Sequence, residues 1–155
     1  MRIRALPVVL LTATALGVGT LTASSAQGAP TTAAAASHRP TVPPVVLLTQ
    51  QQTDVLGAPI AYPTQTPAQV SSSIITLVPG QSTGRHKHDA PMYAYVVSGT
   101  LTVAYDGGVT KVYRAGQAIM EAVGVWHEGT NRGHSGVKVL VVNIGADGGA
   151  NTVKP

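Results

Sequence analysis

The sequence predicts an all-β domain, because its apolar residues follow strand periodicity and its turn signals recur at short intervals. Apolar or alternating segments follow one another at a spacing of roughly 8–12 residues, with glycine-, proline- or asparagine-rich stretches between them. No segment after residue 44 sustains the 3.6-residue apolar period of an amphipathic helix. These observations favour a β-sandwich or β-barrel formed by a single domain.

The strands can be assigned in chain order from residue 45 onward. The β pattern begins with a short apolar run at 45–48, and prolines with Gly57 then break 56–67 into loop or edge strand. Asp106-Gly107-Gly108 is a hairpin turn signal. The strands are predicted at 70–78, 92–98, 101–105, 109–113, 117–121, 125–130 and 137–144. From Gly145 the chain is glycine-rich and is expected to fray.

The first 29 residues have the layout of a secretory signal peptide. Arg2 and Arg4 precede an apolar run at 5–21, and small residues follow it. Cleavage after Ala26, Gly28 or Ala29 would fit, and secretion is expected. The alternative is an uncleaved membrane anchor, which the threonines and glycines of the run and its small-residue exit disfavour.

The remaining chain divides into three parts. Residues 30–44 are an arm rich in alanine, threonine and proline, 45–147 are the predicted β-domain, and 148–155 are a C-terminal tail. After cleavage about 127 residues would remain, enough for a core without disulfides. His38 lies in the arm and is predicted to be solvated.

Composition excludes several classes of protein and site. There is no cysteine, so neither a disulfide nor a thiolate ligand can form. The formal charge of +4 falls to +2 once Arg2 and Arg4 are removed, and the other basic residues form no cluster. We therefore expect no nucleic-acid partner, and no membrane association after cleavage. No phosphate-binding loop, dinucleotide fingerprint or serine-hydrolase triad is present.

Three histidines have the spacing of a metal site. In a strand His86 and His88 would point to one face, with Cα atoms roughly 6.5–7 Å apart, while Lys87 points away. His127, from a different strand, can supply a third ligand to the same ion. Neutral imidazole suits Zn, Fe, Cu and Ni, so one divalent transition metal ion is the predicted cofactor.

The segment around the histidine pair resembles the first conserved motif of the cupin superfamily. It reads GQSTGRHKHDAPMYAYVVSG over residues 80–99. Both flanking glycines and both histidines stand at the positions of the motif. Met92 stands where the family has a glutamate.

The segment around His127 resembles the second cupin motif. Gly116, Gly124, His127 and Asn131 stand at the expected positions, and Ala122 replaces the usual proline. The resemblance implies a double-stranded β-helix, or jelly-roll barrel, with one metal ion held by the three histidines. It also implies Asn131 next to the ligands and a homodimer formed through sheet contacts.

The replacement at Met92 changes the predicted charge of the site. Three neutral histidines would leave a divalent ion with its full double charge, which favours anionic ligands and acidifies a bound water. The same ligand set disfavours Mn²⁺, which prefers oxygen. The thioether of Met92 either ligates copper as a fourth ligand or lines an apolar pocket.

Other polar and aromatic residues near the motifs are weaker candidates for a role in the site. Glu121 is the candidate general base or additional ligand, with a polar residue at the barrel mouth as the alternative. By strand alternation Trp126 points away from His127, and Tyr93 and Tyr95 point away from Met92, so packing is their predicted role. His134 lies in a turn and is expected to be solvated.

Three functions remain open on the sequence alone. The first is a secreted metal-dependent enzyme that acts on a small anionic or enolisable substrate, as a dioxygenase, isomerase or lyase. Similarity to three-histidine cupins, which include iron-dependent thiol and diketone dioxygenases, admits oxygenase chemistry. The second is a non-catalytic module that binds a metal or small ligand outside the cell, and the third is a barrel without a ligand.

Overall fold

The structure, a computed structural model, describes residues 42–64, 66–146 and 148–155. Antiparallel strands form the whole regular structure of these residues, and none of their segments is a helix long and apolar enough to cross a bilayer. The strands are β1 (Ala68–Leu77), β2 (Met92–Ser98), β3 (Thr100–Tyr105), β4 (Thr110–Arg114), β5 (Ala118–Met120), β6 (His127–Thr130) and β7 (Val137–Ala146). The prediction of an all-β class is confirmed.

The strands form two facing sheets. One has the order β1-β7-β2-β5 and the other the order β4-β3-β6. Alternate residues of β2 and β7 are buried, and they pack in a single core with the buried residues of β3. The strand order is that of the jelly-roll barrel implied by the sequence, and the site described below lies between the sheets.

The hairpin between β3 and β4 forms where the sequence predicts it. Tyr105 N–H donates to Val109 O at 2.8 Å, which closes the turn. Gly107 and Gly108 both have positive φ, at 90° and 86°, and this backbone disfavours residues with a Cβ. The Asp-Gly-Gly sequence therefore determines both the turn and the strand register that follows.

The apolar run at 45–48 does not become a strand. Val45 is 84% exposed, and the run has no sheet partner among the described residues. An apolar run alone does not make a strand, because the backbone N–H and C=O groups need a paired neighbour. The loop predicted over 56–67 is observed in its described residues, 56–64 and 66–67, with an isolated bridge between Thr53 and Pro59.

The expectation that the chain frays from Gly145 is wrong. Strand β7 continues to Ala146, which pairs with Ala68. Beyond it, Val153 forms a two-bond bridge with Lys87, at 3.0 Å and 2.9 Å. Gly148 and Gly149 permit the chain to turn after β7. The two bonds between Val153 and Lys87 then hold the C-terminal residues in place.

We predict that Gly99→Ala strongly destabilises the fold. Gly99 joins β2 to β3 with φ of 80°, and a Cβ there would lie 2.7 Å from Gly136 O and 2.9 Å from Val137 Cγ2. Both the backbone strain and the clash oppose the substitution, at about 3 kcal/mol of unfolding free energy in total. Urea denaturation followed by tryptophan fluorescence measures it.

Gly116→Ala is the matched control. Gly116 has a similar φ of 88°, but a Cβ there meets no atom within 4 Å. This variant should lose only about 1 kcal/mol, since strain acts without a clash. Equal losses in the two variants would show that the close approach of Gly99 to Gly136 contributes nothing.

Candidate metal centre

A pair of backbone hydrogen bonds brings the two histidine segments together. His86 N–H donates to His127 O at 2.9 Å, and His127 N–H donates to His86 O at 2.8 Å. His86 and His127 are thus directly opposite each other in an antiparallel bridge. On the far side, Gly124 N–H donates to His88 O at 2.7 Å, so both ends of the pair are held against the second motif.

The three imidazole rings form a compact cluster. Their centroids are 4.5 Å apart for His86 and His127, 5.0 Å for His86 and His88, and 5.1 Å for His88 and His127. One nitrogen from each ring lies within 4.8 Å of the other two. The residues that the sequence predicts as ligands therefore do lie together in space.

Each ring is oriented by a backbone carbonyl. Nδ1 of His86 lies 2.8 Å from Gly84 O, and Nδ1 of His127 lies 2.9 Å from Val125 O. Nδ1 of His88 lies 2.9 Å from Asn151 O. A carbonyl oxygen only accepts, so each Nδ1 carries the proton and each Nε2 keeps a free lone pair. Metal-binding histidines are commonly oriented in this way.

The free lone pair of His88 is the strongest indication that the cluster suits a metal ion. Its Nε2 atom is buried and has no hydrogen-bond partner in the part of the chain that is described. A buried polar atom without a partner costs about 1–3 kcal/mol. Three converging Nε2 acceptors with no donor between them fit a metal cation, so the residues present suit the ion predicted from the sequence.

The surroundings keep two of the histidines neutral. Burial lowers the pKa of His88 to about 4, against the opposing effect of its bond to Asn151. Burial also lowers the pKa of His86, and the bond to Gly84 opposes it. At neutral pH both rings are therefore unprotonated, which is the form that binds a metal.

The cluster opens into a cavity of about 210 Å³ between the sheets. This is smaller than the roughly 300–1,000 Å³ of pockets that hold drug-sized ligands, so it suits a small molecule. Apolar side chains from five strands form most of its wall: Ile75, Leu77, Ala94, Leu101, Val103, Ile119, Val139 and Val141. Such walls exclude water and strengthen the electrostatic interactions of the few polar groups inside.

Glu121 lies in the wall of this cavity and is only 4% exposed. Its Oε1 accepts hydrogen bonds from Tyr105 Oη at 2.6 Å and from the Ala122 N–H at 2.8 Å. Burial raises the pKa of Tyr105, and the Glu121 carboxylate raises it further. Tyr105 therefore remains a protonated donor, and no described hydrogen bond reaches Glu121 Oε2.

Met92 also lines the cavity and is buried. Its carbonyl accepts the Glu121 N–H at 2.8 Å. Met92, the first residue of β2, therefore lies beside Glu121, the residue that follows β5. The residue that replaces the family glutamate is thus placed in the same cavity as the histidines.

Asn131 is fully buried, but its bonds lead away from the histidines. Its Nδ2 donates to Leu77 O at 2.9 Å and Ser135 O at 2.8 Å, and its Oδ1 accepts the Gly133 N–H at 3.0 Å. It does not line the cavity. These bonds tie the end of β1 to the turn before β7, so they stabilise the scaffold that carries His127.

The aromatic residues lie where strand alternation predicts. Tyr93 and Tyr95 are more exposed than the buried Met92 and Ala94. Trp126 lies outside the cavity, and the Arg85 guanidinium stacks 4.6 Å from its ring.

The two remaining histidines are outside the site. His134 is exposed in its turn, as the sequence predicts. His38, the signal segment and most of the arm lie outside the described residues.

Sequence reasoning missed three contributors to the site. Tyr105 follows the alternation of Leu101 and Val103, so the strand pattern alone could have placed it inward. Asn151 and Lys154 carry no such signal, because their positions depend on a chain reversal that follows no periodic pattern.

A comparison with protein-family models matches residues 73–143 to the cupin domain family. The match includes both histidine motifs and all strands from the second half of β1 to most of β7. A search of the curated proteins found no match for this chain.

Several solved structures are similar to this chain. An oxalate oxidase structure is 25% identical with a TM-score of 0.47, and the match covers 54% of this chain and 45% of that one. A sugar phosphate isomerase of the cupin superfamily from Silicibacter pomeroyi DSS-3 is 25% identical with a TM-score of 0.44, covering 49% and 50%. Oxalate decarboxylase from Bacillus subtilis is 23% identical with a TM-score of 0.46, covering 50% and 22%. The chain thus spans about half the length of the first two and less of the third.

The family match, the two motifs and the facing antiparallel sheets agree on one assignment. Residues 73–143, which carry both histidine motifs, form a cupin domain.

Proposed function

We propose that this protein is a metal-dependent enzyme in which His86, His88 and His127 hold one divalent transition metal ion. The observation that carries the proposal is the orientation of the three rings, each with Nδ1–H bonded to a carbonyl and Nε2 free. The buried, unpartnered Nε2 of His88 supports it directly. Three protein ligands leave a coordination position for a substrate, as catalytic sites require.

The ligand set favours Zn, Fe, Cu or Ni. All three ligands are imidazole nitrogens, and Met92 brings no charge to the cavity. When bound, the ion would polarise an anionic or enolisable substrate, lower the pKa of a coordinated water, or provide a site for dioxygen. The proposed reaction is accordingly of the dioxygenase, isomerase or lyase type.

Glu121 is the proposed proton-transfer group. It is the only carboxylate among the described residues that line the cavity, and hydrogen bonds on Oε1 hold it in place. With Oε1 engaged, Oε2 is the atom that would take a proton from a bound substrate. Tyr105 acts as the positioning residue, because its hydroxyl is a permanent donor to Oε1.

A second candidate function is a binding module without turnover. The described residues that line the cavity include one carboxylate, Glu121, which in an enzyme would have to serve both as acid and as base. This favours a binding module. The two functions differ in one observable property: only an enzyme would show turnover that disappears on chelation and returns with a particular metal. The absence of turnover with a bound metal would favour the binding module.

We further propose that the protein is exported. The proposal rests on the charged start, apolar run and small-residue exit of residues 1–29. Mass spectrometry of the protein recovered from the culture medium would give the new N-terminus, expected at residue 27, 29 or 30. The homodimer implied by the family resemblance stays a prediction, which the mass in solution would test.

We predict that His88→Ala abolishes metal binding and leaves the barrel folded. The substitution removes one of three ligands, while the strand pairings and the core remain. Metal content by elemental analysis should fall from about one equivalent per chain to near zero. The far-ultraviolet circular dichroism should keep its β-sheet form.

His134→Ala is the matched control, because His134 is exposed and does not line the cavity. It should retain the metal content of the unmodified protein. A stoichiometric metal ion in purified His88→Ala would rule out the three-histidine site.

We predict that the metal-free protein loses stability as the pH falls from about 6.5 to about 4. The pKa of His88 is about 4 in the folded chain against 6.5 for an ordinary histidine, so in this window only the unfolded chain binds the proton. Proton uptake by the unfolded state lowers the free energy of unfolding, by about 3 kcal/mol over the whole window. Urea denaturation at a series of pH values measures the loss.

The His88→Gln variant isolates this contribution, since glutamine does not titrate. Its unfolding free energy should fall less across the same window, whereas His134→Gln should behave like the unmodified protein. Identical pH profiles for His88→Gln and the unmodified protein would show that His88 is not held neutral by burial.

A further inference from the structure

The C-terminal segment, residues 151–154, is built into the wall of the metal centre. Lys87 N–H donates to Val153 O and Val153 N–H donates to Lys87 O, at 3.0 Å and 2.9 Å. Asn151 O accepts the Nδ1–H of His88 at 2.9 Å, and Asn151 Nδ2 donates to Ser71 Oγ at 3.3 Å. Four hydrogen bonds thus hold this segment against the histidine pair and against β1.

This anchoring places Lys154 at the cavity. Thr152 and Lys154 both line it, and both are exposed, so they lie at its open side. Lys154 is the only lysine or arginine among the described lining residues. No salt bridge within 42–64, 66–146 and 148–155 engages its ammonium group. A free cation beside a metal centre suits an anionic group of a ligand.

Lys154 and Glu121 give the cavity a defined polarity. Glu121 is buried, whereas Lys154 is exposed, and His86 lies within electrostatic range of both. Burial is the main cause of the lowered pKa of His86, but Glu121 raises that pKa and Lys154 lowers it. A bound molecule would therefore meet a positive charge at the mouth and a proton acceptor inside.

We propose that Lys154 is the specificity-determining residue of the site, and that the substrate is a small carboxylate. The carboxylate of the substrate pairs with the Lys154 ammonium at the mouth. This pairing directs the reacting end of the substrate toward the metal centre and Glu121. The proposal rests on the proposed function, because it assumes an ion held by the three histidines. The small, largely apolar cavity limits such a substrate to a few carbon atoms.

The test compares a charged probe with a neutral one. Glycolate and its uncharged amide, glycolamide, have nearly the same shape, and both are titrated into the zinc-loaded protein by calorimetry. The unmodified chain should bind glycolate more tightly than glycolamide. Lys154→Met should weaken glycolate binding by about tenfold or more and leave glycolamide unchanged. Lys154→Arg should keep the preference, since it retains the charge.

Lys138→Met is the matched control, because Lys138 is exposed on β7 and does not line the cavity. It removes the same charge elsewhere and should bind glycolate normally. Zinc content is measured in every sample. Unchanged glycolate binding by Lys154→Met with one zinc per chain would overturn the role of Lys154 and leave the metal centre intact. Lack of zinc in the unmodified protein would overturn the proposed function and this inference together.

A second variant tests whether the segment positions Lys154. Val153→Pro removes the N–H that donates to Lys87 O and leaves Lys154 in the sequence. It should reduce glycolate binding as Lys154→Met does, with β-sheet circular dichroism retained. Full glycolate affinity in this variant would show that the anchored segment is not needed to position the lysine.

Discussion

The site depends on the antiparallel bridge between His86 and His127. These residues are 41 positions apart in the chain, and their two backbone hydrogen bonds place them opposite each other. Because side chains of a directly opposed pair emerge on the same face, the two rings enter the space between the sheets together. His88 follows from His86 by strand alternation. One pair of bonds thus converts two separate motifs into a cluster of three nitrogens.

Burial of the three imidazoles removes their hydrogen bonds to water, and backbone carbonyls replace part of these bonds. Each Nδ1–H is satisfied by a carbonyl close at hand, so only the Nε2 lone pairs are left toward the cavity. Glu121 is treated in a similar way, with a hydroxyl and a backbone N–H on one oxygen. The Nε2 atoms of the histidines and Oε2 of Glu121 therefore remain available to a cation and a small anionic ligand. A bound ion would remove the cost that the buried Nε2 of His88 carries.

Strand alternation predicted much of this arrangement. The bounds of β2 agree with the sequence, and so does the inward orientation of Met92 and Ala94, because an apolar strand with one buried face leaves a clear two-residue period. The hairpin at Gly107 was equally predictable from its turn chemistry. The apolar run at 45–48 was a poorer guide, because Val45, Val46 and Leu47 lie exposed and form no strand. Strand alternation also did not show that the buried amide of Asn131 joins β1 to a distant turn.

The sequence by itself determined the fold class, most of the strands and which three histidines could share an ion. Those properties follow from local periodicity, turn residues and motif spacing, all of which can be read directly from the order of residues. Only the tertiary structure decided which tautomer each ring adopts, that Tyr105 holds Glu121, and that Asn151 and Lys154 return to the metal centre. These properties arise from contacts between residues as much as 80 positions apart, as between Ser71 and Asn151. Such contacts depend on how the sheets close around the core, and no periodic pattern in the chain records that closure.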